Sequence, residues 1–277
     1  MLSCPKTCDR IAHVMQRRQL LASAAGAASL SMSSLAQTPG TGRAVIELRY
    51  FRLRNTTDNQ RGRLTNWLTV DVIPFLRKAG SGPVGLFASS IAPDAPFLLA
   101  VSSHDSLAAY EQTMARLMQN EPFLRASEAF FSQSGLPFQR METHLLRAFA
   151  GFPSVAVPPA PEEGKPARLF ELRVYESNSP LSLMKKIGMF ENGEIDLFKQ
   201  KGLPPVFFGE TIAGDRMPNL TYMVWHDSLS AREANWRNFA TSPEWKKMAA
   251  TPGLSDGEVV SNISTYLLSP VNGSQIR

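Results

Sequence analysis

The sequence predicts an α+β fold: two tandem ferredoxin-like units, each βαββαβ, packed sheet to sheet so that one chain closes its own barrel. Three observations lead there: an internal repeat, a shared order of elements, and a bare sheet face that each unit has to cover. The repeat is plain in the residues. His104–Glu111 (HDSLAAYE) returns as His226–Glu233 (HDSLSARE), with six identities in eight at an offset of 122. The same offset aligns Ile73–Gly80 (IPFLRKAG) with Ile195–Gly202 (IDLFKQKG), and an offset of 124 aligns Glu47-Leu48-Arg49 with Glu171-Leu172-Arg173. Three matches in one order, at nearly one spacing, mark a unit written twice. The expected layout is a first unit over 43–150, a proline-rich linker over 151–167 and a second unit over 168–271.

The elements follow in order within each unit. Val45–Leu53 and Leu169–Tyr175 alternate and are rich in β-branched and aromatic residues, which predicts opening strands. Leu64–Lys78 and Leu181–Gln200 have helical spacing and stop at Gly80 and Gly202, with bends expected at Pro74 and at Asn192-Gly193. Val84–Ser89 with Val206–Ile212, and Pro96–Ser103 with Leu220–His226, read as paired short strands. Asp105-Ser106 and Asp227-Ser228 then cap a second helix, and Ser230 with Glu233 has capping-box spacing. Closing strands fall near Thr143–Phe149 and Ile263–Leu268. Helices cover one face of such a sheet, so the other face of each unit needs the other's.

Composition narrows the function classes. The formal charge is +5, but residues 1–36 hold four of the basic residues and one acidic one, leaving 25 basic against 23 acidic in the body. That balance argues against nucleic acid as a partner. Gln16-Arg17-Arg18-Gln19-Leu20-Leu21, the Ala/Ser-rich stretch after it and the exit at Ser34-Leu35-Ala36 read as a twin-arginine-type signal peptide. Residues 1–14 precede a more natural start at Met15. The mature protein is therefore expected to begin near Gln37 and to reside in the periplasm or outside the cell. Both cysteines, Cys4 and Cys8, fall in this leader, so the body has no thiol for a disulfide, a nucleophile or a metal. No later run is long and apolar enough to span a membrane.

The candidate pocket comes from strand alternation. In the second opening strand Phe170, Leu172 and Val174 take one face and Glu171, Arg173 and Tyr175 the other. With helices on the apolar face, Glu171, Arg173 and Tyr175 are expected to point between the sheets, joined by Glu47 and Arg49 from the first unit. Arginine there could hold an anionic or carbonyl group and glutamate could accept a proton, or the pairs could simply pin the register of the sheets. His104 and His226 sit at equivalent strand ends and join the candidates as proton acceptors or as packing beside an N-cap. Trp225, Trp236 and Trp245 read as core anchors. No glycine-rich phosphate loop, nucleophile elbow, haem-attachment motif or metal-ligand spacing occurs, so neither a cofactor nor a metal is expected.

The second unit also carries a resemblance. Phe170-Glu171-Leu172-Arg173-Val174-Tyr175, then Trp225-His226-Asp227-Ser228-Leu229 with Arg232, then Ser242-Pro243-Glu244-Trp245, resemble the opening strand and the Trp-x-x-x-Ser, Arg and Pro-Glu-Trp signature of the NIPSNAP family. The match runs over Arg168–Pro270. The first unit keeps Glu-Leu-Arg, His-Asp-Ser-Leu and Pro122-Phe123, as a diverged copy does. The resemblance implies a dimeric α/β barrel and brings no established activity, since that superfamily holds cofactor-independent monooxygenases, haem-linked enzymes and binding proteins. Two functions stand side by side. One is a small-molecule-binding or interaction barrel, alone or as a homo-oligomer; the other is a cofactor-independent oxygenase or isomerase working in the barrel interior.

Overall fold

The computed structural model describes residues 42–277, so the leader-like segment and both cysteines lie outside the described residues. Eight antiparallel strands carry the chain: β1 (Val45–Arg52), β2 (Val84–Ile91), β3 (Phe97–His104), β4 (Arg140–Ala148), β5 (Leu169–Glu176), β6 (Pro205–Ala213), β7 (Asn219–His226) and β8 (Asn262–Pro270). They close into one barrel in the order β1-β3-β2-β8-β5-β7-β6-β4. Each ferredoxin-like unit contributes four neighbouring strands. Two seams join the units, Ala88 opposite Ser269 where β2 meets β8 and Arg147 opposite Glu210 where β4 meets β6. Closure leaves no sheet edge unpaired, which removes the hazard of an open apolar sheet.

Local chemistry explains the helices that flank the barrel. In the first unit α1 (Gln60–Trp67) and α2 (Ile73–Lys78) are joined by a widened turn at Leu68–Val72, with Pro74 at the start of α2. In the second, α5 (Pro180–Met189) and α6 (Ile195–Gln200) are joined at Phe190–Glu194, where Gly193 takes φ 129°. Such a φ favours glycine. The second helix of each unit is broken in two, because a cap and a proline interrupt it. Asn120 accepts from the Phe123 amide to start α4 (Glu121–Phe131) after α3 (Leu107–Met118), and Ser242 accepts from the Trp245 amide to start α8 (Pro243–Ala249) after α7 (Leu229–Thr241). Ser106 and Ser228 cap α3 and α7, as expected. The capping box lies elsewhere, at Ser255 and Glu258 of α9 (Asp256–Val259).

Three apolar layers result, and they reverse one expectation. The barrel core is built from Ile46, Leu48, Tyr50, Phe87, Phe97, Phe170, Leu172, Val174, Phe207 and Met223. Tyr175, Tyr222 and Val224 belong instead to the layer between the second sheet and its helices. The alternating faces of β1 and β5 are therefore opposite to the sequence reading. Phe170, Leu172 and Val174 face the barrel, and Glu171, Arg173 and Tyr175 lie under the helices. The physical reason is partnership. Two apolar sheet faces meeting in a sealed barrel offer few partners to a charge, whereas α7 brings an arginine and an indole N–H to the helix side.

The barrel interior changes character along its axis. At the start of β1 and β5 it is closed by Ala44, Ala148, Val155 and Ile276, all apolar. Val155 comes from the proline-rich segment after β4, which is held by hydrogen bonds from Ala44 N to Pro153 O and from Ala156 N to Val206 O. At the other end, where Arg52 pairs with Arg140 and Glu176 with Asn219 and Asn262, polar side chains face inward beside Phe97.

Candidate functional site

The sequence candidates separate into two helix-covered clusters, one per unit. In the second, Glu171 is fully buried and accepts hydrogen bonds from Arg232 Nε (2.7 Å), Arg232 Nη2 (2.9 Å) and Trp236 Nε1 (2.8 Å). His226 Nε2 lies 3.2 Å from Glu171 Oε2 and donates, because a carboxylate only accepts. Burial alone would raise the carboxyl, yet these bonds pull its pKa down to about 2. Arg173 stands 3.9 Å from the carboxylate and stacks its guanidinium over Trp236 (4.5 Å) and Tyr175 (5.2 Å). The Tyr222 hydroxyl donates to that of Tyr175 at 3.0 Å.

The first unit holds a leaner version. Glu47 accepts from Arg49 Nε (2.9 Å), Ser102 Oγ (3.1 Å) and, more distantly, the Tyr110 hydroxyl (3.4 Å). Ser102 gives its proton to Glu47, so His104 Nε2, at 3.1 Å, donates to Ser102 Oγ. Burial lowers the pKa of His104 and keeps it neutral. The two glutamates lie in separate layers and do not combine into one internal cavity. Each is enclosed by donors, and the depressed pKa of Glu171 leaves that carboxylate little capacity to take up a substrate proton.

The groups that do converge across the two units sit at the polar end of the barrel. Tyr50 and Tyr266 are buried there, with ring centres 6.5 Å apart, and His144 lies 5.3 Å from Tyr50. Arg52 lies over Tyr50 (4.7 Å) and Phe97 (5.0 Å) and donates to Glu142 through Nε (2.9 Å) and Nη2 (2.7 Å). From the β6–β7 hairpin, Arg216 Nη1 donates to Ser264 Oγ (2.8 Å) and the Tyr266 hydroxyl (3.1 Å). Asp215 approaches His144 Nε2 at 3.4 Å. Thr211 and Thr221 donate to Asn219 at 2.6 and 3.2 Å beside them. Burial raises the pKa of both tyrosines, so they stay protonated, and burial lowers that of His144, so it stays neutral. Arg52 Nη1 is buried and has no acceptor among the described residues.

Sequence reasoning missed this end, taking Tyr50 and Arg52 only as part of the opening strand Val45–Leu53 and giving His144 no place in the candidate pocket. It also missed Lys186, which is buried between Glu194 (3.2 Å) and Asp256 (3.2 Å) under the second unit's helices. A usable signal was present for Lys186: at the same offset of 122 the first unit has Leu64.

Residues 170–275 match the family model described as NIPSNAP. Those 106 of the 277 residues are the second ferredoxin-like unit, which carries the NIPSNAP family-model match and is called the NIPSNAP domain below. Among solved structures, a monooxygenase-like protein from Fusobacterium nucleatum aligns over 83% of this chain and 93% of its own, at 9% identity and a TM-score of 0.55. A second monooxygenase-like protein, from Lactobacillus acidophilus, aligns over 82% and 94% at 10% identity and a TM-score of 0.51. A NIPSNAP family protein of unknown function from Agrobacterium tumefaciens covers 40% of this chain and 95% of its own at 14% identity, with a TM-score of 0.36. At these identities the first two share the fold alone: their length matches both units, the NIPSNAP domain and its diverged partner. No curated protein matches the chain by sequence.

Proposed function

We propose that the protein is an exported small-molecule-binding barrel whose ligand sits at the polar end, between the NIPSNAP domain and the first unit. The observation that carries this reading is the buried Arg52 nitrogen without an acceptor among the described residues, at the place where side chains of both units converge. A buried donor left unmade is costly, and a bound molecule that accepts from it removes the cost. The twin-arginine pattern in residues 1–36 supports delivery of the folded barrel to the periplasm. The test is the intact mass of the chain isolated from its own cells, native against denatured. A small adduct, lost on denaturation and absent from Arg52→Met, is the expected result; an adduct-free chain under gentle conditions counts against it. Replacing Arg17 and Arg18 with Lys should leave the precursor in the cytoplasm, and its continued export removes the twin-arginine assignment.

One observation favours the enzymatic alternative, a cofactor-independent oxygenase or isomerase. His144 is held neutral beside Tyr50 at the same end, which suits a proton acceptor. Recovery of the released adduct unchanged after incubation with the protein under air supports the binding reading over this one.

A further inference from the structure

The polar end of the barrel holds one buried donor that its own acceptors leave unfilled. Glu142 accepts from Arg52 twice and from Arg140 Nε at 2.5 Å, so its oxygens are engaged. Arg52 Nη1 is left buried with no acceptor among the described residues. Tyr266 accepts from Arg216 and keeps its own hydroxyl proton to donate. Asp215, more than half exposed, stands 3.4 Å from His144 and 3.6 Å from Arg216 Nε.

A second, independent observation concerns the backbone. Arg216 takes φ 53°, in the left-handed region that residues with a Cβ avoid, and Asp94 takes the same φ at the matching place in the β2–β3 hairpin. The conformation recurs in both units as part of the repeated hairpin, and the surroundings of each hairpin hold it. Here the conformation brings the Arg216 guanidinium, less than a third exposed, to Ser264 and Tyr266 of β8.

Taking the binding reading above as its basis, we infer that this end receives the carboxylate of a small organic acid, its charge shared by Arg52 and Arg216 and its oxygens accepting from the tyrosine hydroxyls. Guanidinium is the side chain whose planar fork matches a carboxylate. Three guanidiniums (Arg52, Arg140, Arg216) share this end with four carboxylates (Glu142, Asp215, Asp94 and Glu176), so it offers an unfilled donor and no surplus positive charge. A second negative charge on the ligand costs more there than one, which disfavours a phosphate-type dianion. Met217, next in the chain and half exposed, offers apolar contact to the rest of such a ligand.

The test uses the chain from residue 37 onward and three isosteric probes: benzoate, benzamide and phenylphosphonate, titrated calorimetrically and by NMR of the His144 ring. Benzoate is expected to bind at least tenfold more tightly than either other probe, and to shift His144. Arg52→Met and Arg216→Gly should each weaken benzoate at least tenfold. Arg216→Gly should not lower Tm, because glycine adopts φ 53° freely. Should Arg52→Met fail to fold, Arg52→Lys keeps the charge without the fork and is expected to lose most of the affinity. Benzamide binding as well as benzoate, or benzoate indifferent to both arginines, overturns the inference. If benzoate fails while an Arg52-dependent adduct persists in the isolated protein, the ligand class is wrong and the binding reading stands. If both fail, the binding reading falls with it.

Discussion

The helix-covered layers of the two units occupy the same place in the fold and are built from different chemistry. Glu47 meets a serine, a tyrosine and its strand neighbour Arg49, whereas Glu171 meets a guanidinium fork, an indole and a histidine. At the offset of 122, Tyr110 corresponds to Arg232 and Met114 to Trp236. Further along the same layer the first unit has Leu64 and Val72 where the NIPSNAP domain has Lys186 and Glu194. Both units keep the glutamate near the start of the opening strand, with an arginine two residues on and a histidine at the end of the neighbouring strand. Everything added around it in the second unit is buried polarity that must be satisfied internally.

The largest expected effect breaks this comparison at its centre. Glu171→Gln removes the one charge that Arg232, His226 and Trp236 share, and loss of a partner from a buried charge cluster costs about 3–5 kcal/mol. Glu47→Gln loses hydrogen bonds from mainly neutral donors and from Arg49, whose side chain is 23% exposed, and should cost about 1–2 kcal/mol. Urea midpoints at pH 7 for the two variants measure the difference. Equal losses would mean that the extra donors of the second unit add nothing.

A pH series sharpens the same contrast within the NIPSNAP domain, where two buried glutamates titrate in opposite senses. The Glu171 pKa is depressed from 4.5 to about 2, so its contribution is present above pH 4.5 and is lost as pH falls towards 2. Burial pushes the Glu194 carboxyl up from 4.5 to about 7 despite Lys186, so its contribution is present below pH 4.5 and is lost as pH rises to 7. Each shift corresponds to about 3 kcal/mol. Subtracting a variant's stability curve from that of the wild type isolates each group from His104 and His144, whose lowered pKa values oppose Glu194 in this range. Glu171→Gln should change the difference only below pH 4.5, and Glu194→Gln only between pH 4.5 and 7. Differences that slope the same way would contradict the assignment.

Local signals carried the fold, and long-range ones hid much of the site. Repeats, caps and alternation are written over a few residues, so strand order within each unit and the need for a closed barrel were readable. The direction of β5 was not, because both of its faces are buried and alternation cannot say which meets the helices. What decides it is Arg232 and Trp236, 61 and 65 residues away from Glu171. The sequence reading put Glu47, Arg49, Glu171, Arg173, Tyr175, His104 and His226 between the sheets, whereas Glu171, Arg173 and His226 meet under the second unit's helices. The polar barrel end draws on β1, β4, β8 and the β6–β7 hairpin, and no window of sequence contains it.

The smallest expected effect comes from the change that looks most drastic. Lys186→Leu with Glu194→Val gives the NIPSNAP domain the residues that the first unit has at Leu64 and Val72. Either change alone leaves a charge or a proton-hungry carboxyl in a layer sealed by Tyr175, Phe190 and Trp245, over whose rings the Lys186 ammonium lies at 5.0–5.7 Å. Together they exchange a buried ion pair for aliphatic packing, a replacement that is often neutral or stabilising. Asp256, nearly half exposed, stays solvated without its lysine. The double variant should therefore match the wild type to within about 1 kcal/mol, with Lys186→Leu alone well below both. Since Lys186 and Glu194 lie in the helix-side layer, away from the polar barrel end, benzoate affinity should be unchanged. A double variant as unstable as the single one would show that the ion pair is required by the layer, and that the two units differ in more than the polarity they enclose.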